Sequence, residues 1–160
     1  MSDATVPMVS EIEFRDPFEV VYHRESRSMV RMATALVDSP EQAEEVVQDA
    51  FAALSLKYRL VNEPVAYVRV SALNGCRKVL RRLRIIRRQP PIAVESGELG
   101  YNHVLDAVRR LPTRQRNAIT LRYELQLSDA EIAETLGMPL GTVKSTLHRA
   151  LARQRTEVIE

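Results

Sequence analysis

The stretch Ser128-Asp129-Ala130-Glu131-Ile132-Ala133-Glu134-Thr135-Leu136-Gly137-Met138-Pro139-Leu140-Gly141-Thr142-Val143-Lys144-Ser145-Thr146-Leu147-His148-Arg149-Ala150-Leu151 decides how this chain is read. Ser128 followed three residues later by Glu131 is a capping box, so a short helix opens there and runs to Leu136. Gly137 stops it, because glycine reaches the left-handed conformation of a helix C-terminus without steric cost. Pro139 then starts a longer helix that ends near Arg155. A short helix, a glycine turn and a longer helix make the sequence form of a helix-turn-helix. In the second helix Val143, Leu147, Ala150 and Leu151 share the core side, while Gly141, Thr142, Lys144, Ser145, His148 and Arg149 project outward. Small, hydroxyl and basic groups on one face suit a major groove, where they reach base edges and phosphates.

Outward from this stretch the chain continues to read as helix. Only 5 of its 160 residues are glycine, apolar residues recur at helical spacing, and no alternating strand pattern is present. Upstream, Asn102 caps a segment through Arg110, Leu111-Pro112 breaks it, and Pro112 to about Tyr123 forms the next. Residues 89–101, with proline, glycine, two acids and no base, read as a linker. Before it, Asp16-Pro17 predicts a helix start, with Asp16 as N-cap, and that helix ends near Asp38. Ser39-Pro40-Glu41-Gln42 predicts a second start with a Ser39–Gln42 capping box, and Ala43, Val46, Val47, Ala50, Phe51 and Leu54 form that helix's apolar face. A third helix runs from Asn62-Glu63-Pro64 to about Arg88. The expected fold class is all-α: residues 16–88 as one helical domain, residues 102–156 as a second, and residues 1–15 as a loose tail.

The formal net charge of +2 conceals a partition. Residues 1–60 hold 6 basic and 11 acidic side chains, residues 61–90 hold 8 and 1, and residues 91–160 hold 9 of each. One acidic and one basic segment imply two differently charged partners. On the third helix Val65, Val68, Ala72, Cys76, Val79 and Leu83 fall within an arc of about 80°. Arg77, Arg81, Arg84 and Arg88 fall within about 60° on a neighbouring face, with Asn74 on its flank. A row of guanidinium groups beside a buried stripe is a nucleic-acid signal. Gly75 inside this helix costs about 1 kcal/mol of helix propensity, which the close approach of another element would explain.

Other classes are disfavoured. The single Cys76 excludes an intrachain disulfide and a cysteine zinc site. No nucleotide-binding glycine loop is present, and adjacent acids such as Glu44 and Glu45 point to different faces of a helix. The expectation is a protein without enzymatic activity, cofactor or metal. No run of 18 apolar residues exists and the first fifteen residues lack an apolar signal core, so no membrane insertion and a cytoplasmic location are expected. A stand-alone helix-turn-helix regulator and a helical adaptor remain as competing readings. A regulator of that kind binds duplex DNA alone, typically as a dimer; an adaptor has no need of a guanidinium row.

Across nearly its whole length, from about Phe18 to Arg155, the chain resembles the extracytoplasmic-function sigma factors, small initiation factors of the sigma-70 class. The resemblance rests on Ala43-Glu44-Glu45-Val46-Val47-Gln48-Asp49-Ala50-Phe51, on Glu63-Pro64-Val65-Ala66-Tyr67-Val68-Arg69 with Leu73-Asn74-Gly75-Cys76-Arg77, and on Leu111-Pro112-Thr113-Arg114-Gln115-Arg116 followed by the helix-turn-helix. It implies a sigma-2-like and a sigma-4-like domain. Core RNA polymerase would be bound at its largest-subunit clamp helices, through Glu45, Gln48, Asp49 and Phe51, and at its flap region. Promoter DNA would be held at the −10 element by Arg69, Asn74, Arg77, Lys78 and Arg81, and at the −35 element by Thr142, Lys144, Ser145, His148 and Arg149. The linker would thread the RNA exit region, and an anti-sigma factor would be the regulator. Tyr58 stands where the family often has tryptophan, Leu140 where it has a polar residue and Thr146 where it has arginine.

Overall fold

The computed structural model describes residues 15–86 and 101–159. The tail before Arg15, most of the expected linker, and the expected helical residues Arg87 and Arg88 lie outside the described residues. Seven helices and no strand occur among the described residues. They are α1 (Phe18–Val37), α2 (Pro40–Lys57), α3 (Pro64–Ile86), α4 (Tyr101–Arg110), α5 (Thr113–Glu124), α6 (Asp129–Leu136) and α7 (Leu140–Ile159).

The first three pack into one helical domain. At the start of α1 the structure corrects the expected cap. Pro17 occupies the N-cap position with no side-chain cap bond. The carboxylate of Asp16 instead accepts a bond from Arg24 Nη1 at 2.8 Å, a charged donor one helical face away. Asp38 closes α1 in the left-handed conformation, at φ 59°, with its N–H donating to the Thr34 carbonyl. Ser39 caps α2, its Oγ accepting the Gln42 N–H at 3.3 Å, but the side chain that engages Ser39 Oγ is Glu41 rather than Gln42.

The core of this domain holds Met29, Met32, Phe51, Leu54, Val68, Leu73 and Cys76, all fully buried. Burial pushes the Cys76 thiol up to about 12, so it stays protonated and acts as a small apolar residue. Phe51 is gripped edge-on by Tyr22, with centroids 4.9 Å apart, and Phe18 meets Tyr58 in the same manner at 5.6 Å. Gly75 has a steric cause. A Cβ there would stand 2.7 Å from Val46 Cγ1, so only glycine lets α3 approach α2 this closely.

In the second domain α5 packs on α7, and α6 crosses both. Both bonds of the expected capping box are present: the Glu131 N–H donates to Ser128 Oγ at 3.2 Å and the Ser128 N–H to Glu131 Oε1 at 3.3 Å. Gly137 ends α6 at φ 64°. Ile132, Leu121, Ala118, Val143 and Ala150 fill the centre. Helix α7 runs to Ile159, one turn beyond the expected end near Arg155.

The two domains are docked. Helix α1 lies against α4 and α5, and α3 lies against α6. One buried cluster runs without a break from Met29 and Leu36 through Val108, Leu111 and Leu127 to Val143 and Ala150.

Candidate nucleic-acid interface

Helices α2 and α3 form two walls of a groove with opposite charge. Glu45 and Asp49 line it from α2; Asn74, Lys78 and Arg82 line it from α3. Close packing at Gly75 sets the floor. Four of the residues expected to bind polymerase or the −10 element therefore share one cleft. Gln48 is exposed but lies outside this groove, on the side of α2 that faces α1, where it donates to the Tyr22 hydroxyl at 2.8 Å.

Phe51 and Arg69 depart from expectation. Phe51 is 2% exposed and packed among Phe18 and Tyr22, so its ring supports the acidic helix from within. Its place on the apolar stripe with Val47 and Leu54 already carried that signal. The Arg69 side chain is only 12% exposed and turns away from the α3 cation row. Its Nη2 lies 3.8 Å from Glu131 Oε2 and its Nη1 donates to Thr135 Oγ1 at 3.4 Å, both on α6 of the other domain. At helical spacing Arg69 falls beside the apolar arc of α3, about 80° from Arg77. That offset could have separated it from the row.

Asn74, Arg77, Lys78 and Arg81 are exposed. Arg77 Nη1 donates to Asn74 Oδ1 at 3.4 Å. Among the described residues no acid pairs with Arg77, Lys78 or Arg81. Cations exposed in this way can be offered to phosphates.

On α7, Lys144, Ser145, His148 and Arg149 are exposed and Thr142 is half-buried. Ser145 Oγ donates to the Thr142 carbonyl at 3.1 Å. Two recesses flank this helix. Ser145 and Arg149 share one with Thr113 and Arg114 of α5, and Lys144 and His148 share the other with Arg122 and Tyr123. Arg114 is a basic group that helix-by-helix reading leaves out of the site. It joins the α7 face only because α5 and α7 pack together. Thr146 is buried at the bottom of the recess shared by Ser145, Arg149 and Arg114, so it presents far less surface than its exposed neighbours.

Among the described residues no three His, Cys, Asp or Glu side chains converge as metal ligands, and no helix is long and apolar enough to cross a membrane.

These features define a class: an all-helical protein that couples an acid-faced, cation-rowed domain to a helix-turn-helix domain. A family model described as sigma-70, region 4 matches residues 102–153. The RNA polymerase sigma-E factor of Streptomyces coelicolor is 31% identical over 153 residues, covering 89% of this chain and 86% of that protein. The ECF RNA polymerase sigma factor SigM of Mycobacterium tuberculosis is 27% identical over 161 residues, covering 95% and 82%. The sigma factor RpoE of Bartonella quintana, solved with the anti-sigma factor NepR, superimposes with a TM-score of 0.71 at 24% identity, covering 85% of this chain and 92% of that one. The chain belongs to the RNA polymerase sigma factors of the extracytoplasmic-function type, a class of transcription initiation factor.

Proposed function

We propose that this chain binds core RNA polymerase through the exposed acids of α2 and directs it to promoters by contacts from both domains. Glu45, Gln48 and Asp49 form the polymerase-docking face, which suits the clamp helices, and the second domain engages the flap region. Asn74, Arg77, Lys78 and Arg81 hold the −10 element. Thr142, Lys144, Ser145, His148 and Arg149, joined by Arg114, read and anchor the −35 element. The observation that carries this reading is the charge of α3: a row of exposed cations that pairs with no acid among the described residues, one groove away from the acids of α2.

The mechanism is binding rather than catalysis, and its setting is the cytoplasm. Each DNA contact is modest alone. Polymerase fixes both domains at promoter spacing, so the second contact becomes intramolecular and the pair acts as one bivalent contact. Contacts of Asn74 and the neighbouring cations to the displaced strand offset the energy of melting. An anti-sigma factor is the proposed regulator, supported by the RpoE–NepR complex with the same fold.

Run-off transcription with purified core polymerase on genomic promoter fragments tests the proposal. Addition of the protein is expected to start transcription at defined sites. Glu45→Lys with Asp49→Lys is expected to abolish co-purification with core while leaving the helical circular dichroism unchanged. Tight duplex binding by the protein alone, with no transcript from core, would favour a stand-alone regulator instead.

A further inference from the structure

Leu140 and Gly141 open helix α7, and packing within the chain explains neither. Leu140 is 45% exposed, although Leu147, two turns along and about 20° away around the helix, is buried. At Gly141 a Cβ would meet nothing within 4 Å, whereas at Gly75 it would strike Val46. Glycine weakens a helix relative to alanine. Here neither a close neighbour nor a positive φ asks for it. A bare backbone at an exposed helix end suits the close approach of something outside the chain.

The two flanks of α7 differ in chemistry. One carries Thr142, Ser145 and Arg149 beside Arg114 of α5. The other carries Lys144 and His148 over Leu147, Leu151 and Tyr123. At helical spacing Leu140 lies about 40° from Lys144 and about 80° from His148, but about 180° from Arg149. It therefore carries the second, more apolar flank to the tip of the helix. In a helix-turn-helix the N-terminal residues of the second helix are those that reach base edges. Of the groups that base pairs display in the major groove, one is apolar, the C5-methyl of thymine. A leucine has no hydrogen bond to offer the others. Against the amino group of cytosine or the carbonyl of guanine it displaces water and leaves that group unpaired. Against a methyl it buries apolar surface on both sides.

We propose that Leu140 is a specificity-determining residue of the −35 contact: its side chain packs on the methyl group of one thymine, and Gly141 lets the backbone come close enough for that contact to form. Lys144, Ser145, His148 and Arg149 supply charge and hydrogen bonds to the same groove, and Leu140 adds one position at which a methyl is read. The contact rests on the proposed function and names one element of its specificity.

Binding of holoenzyme to a promoter fragment that supports run-off transcription is the test. Each thymine of the −35 region is replaced in turn by deoxyuridine, which removes the methyl and nothing else. At one position the exchange is expected to weaken binding of the wild type about fourfold, the worth of one buried methyl. Leu140→Ala is expected to bind the thymine and uracil fragments equally, and to match the wild type on the uracil fragment, which a general weakening of the fold would not give. Leu140→Met keeps an apolar chain of similar reach and is expected to retain the difference. Gly141→Ala is expected to raise the thermal midpoint, since alanine is the better helix former and no neighbour obstructs it, while weakening binding to the thymine fragment severalfold. A wild type indifferent to every exchange, or a Leu140→Ala variant that keeps the wild-type difference or loses affinity equally on both fragments, overturns the methyl contact. Unchanged binding by Gly141→Ala overturns the close approach. A wild-type holoenzyme that neither binds nor transcribes any fragment overturns the proposed function and the contact with it; where it does both, the exchanges decide the contact alone.

Discussion

Helices α3 and α7 are both long, both apolar on one side and both cationic on the other, yet the fold positions them by different means. Helix α3 is placed by mass. Its partners include the largest fully buried side chains among the described residues, and it closes on α2 where Gly75 leaves room for Val46. Its working face is a density of charge that tolerates small displacement, since phosphates are held by point charges. Helix α7 is placed by local geometry. A capping box, a left-handed Gly137 and a short α6 set its angle, and its core side uses Val143 and Ala150. Its working face mixes hydroxyl and basic groups that must match base edges in register. Bulk sets the position of the first surface; turn chemistry sets the position of the second.

The hardest blow to this contrast is Phe51→Ala. Removing the ring that Tyr22 and Phe18 enclose is expected to cost about 3–5 kcal/mol, measured by urea unfolding. A cost near that of a surface substitution would break the claim that α2 and α3 are positioned by bulk. Gly75→Ala is next. Overpacking against Val46 costs about 1–3 kcal/mol, less about 1 kcal/mol recovered from helix propensity. Val46→Ala in the same chain is expected to return that overpacking loss, and calorimetry of the two singles and the double measures the coupling.

A third test concerns the working faces. Arg77→Ala with Arg81→Ala is expected to lower the salt slope of holoenzyme binding to DNA by roughly 2, against roughly 1 for Lys144→Ala. The α7 variant is expected to lose its effect on DNA lacking the −35 element, whereas the α3 variant is not. Equal behaviour on both templates would erase the distinction.

The smallest effect is Ser128→Ala, about 1 kcal/mol for a lost N-cap, seen as a lowered thermal midpoint. It carries a pH signature. The Ser128 N–H, then its hydroxyl, hold the Glu131 carboxyl below the usual glutamate range, with Arg69 adding to the effect. The folded pKa is therefore depressed, and the stability from this contact is fully present above the ordinary glutamate pKa. It disappears as pH falls through the lower folded value. Ser128→Ala is expected to shrink that acid limb of the stability profile without removing it, since the hydroxyl is lost and the backbone N–H stays.

Much of this was legible from residues close in the chain. The Ser128–Glu131 box and Gly137 act within one turn, so the helix-turn-helix could be written down before any packing was known. The partition of charge between α2 and α3 was equally plain, because a long helix turns spacing directly into faces. Residues that answer to distant partners were harder. Asp16 looked like a cap because it precedes Pro17, yet Arg24 drew its carboxylate elsewhere. Arg114 joined the α7 face only through the packing of α5. Phe51 and Arg69 were grouped by resemblance with surface residues, although the periodicity of their own helices set them at the buried edge.

The sequence by itself determined the helices, the capped start of α6 with its glycine stop, and the sign of the exposed faces, since each follows from contacts within four residues. Tertiary structure alone decided that the two domains close on each other. The groups that close them, Asp38 with Arg109, Arg31 with Glu124 and Arg69 with Glu131, lie more than sixty residues apart in the chain. No local rule pairs residues at that separation; only the packing of α1 on α4 and α5 and of α3 on α6 brings them within reach.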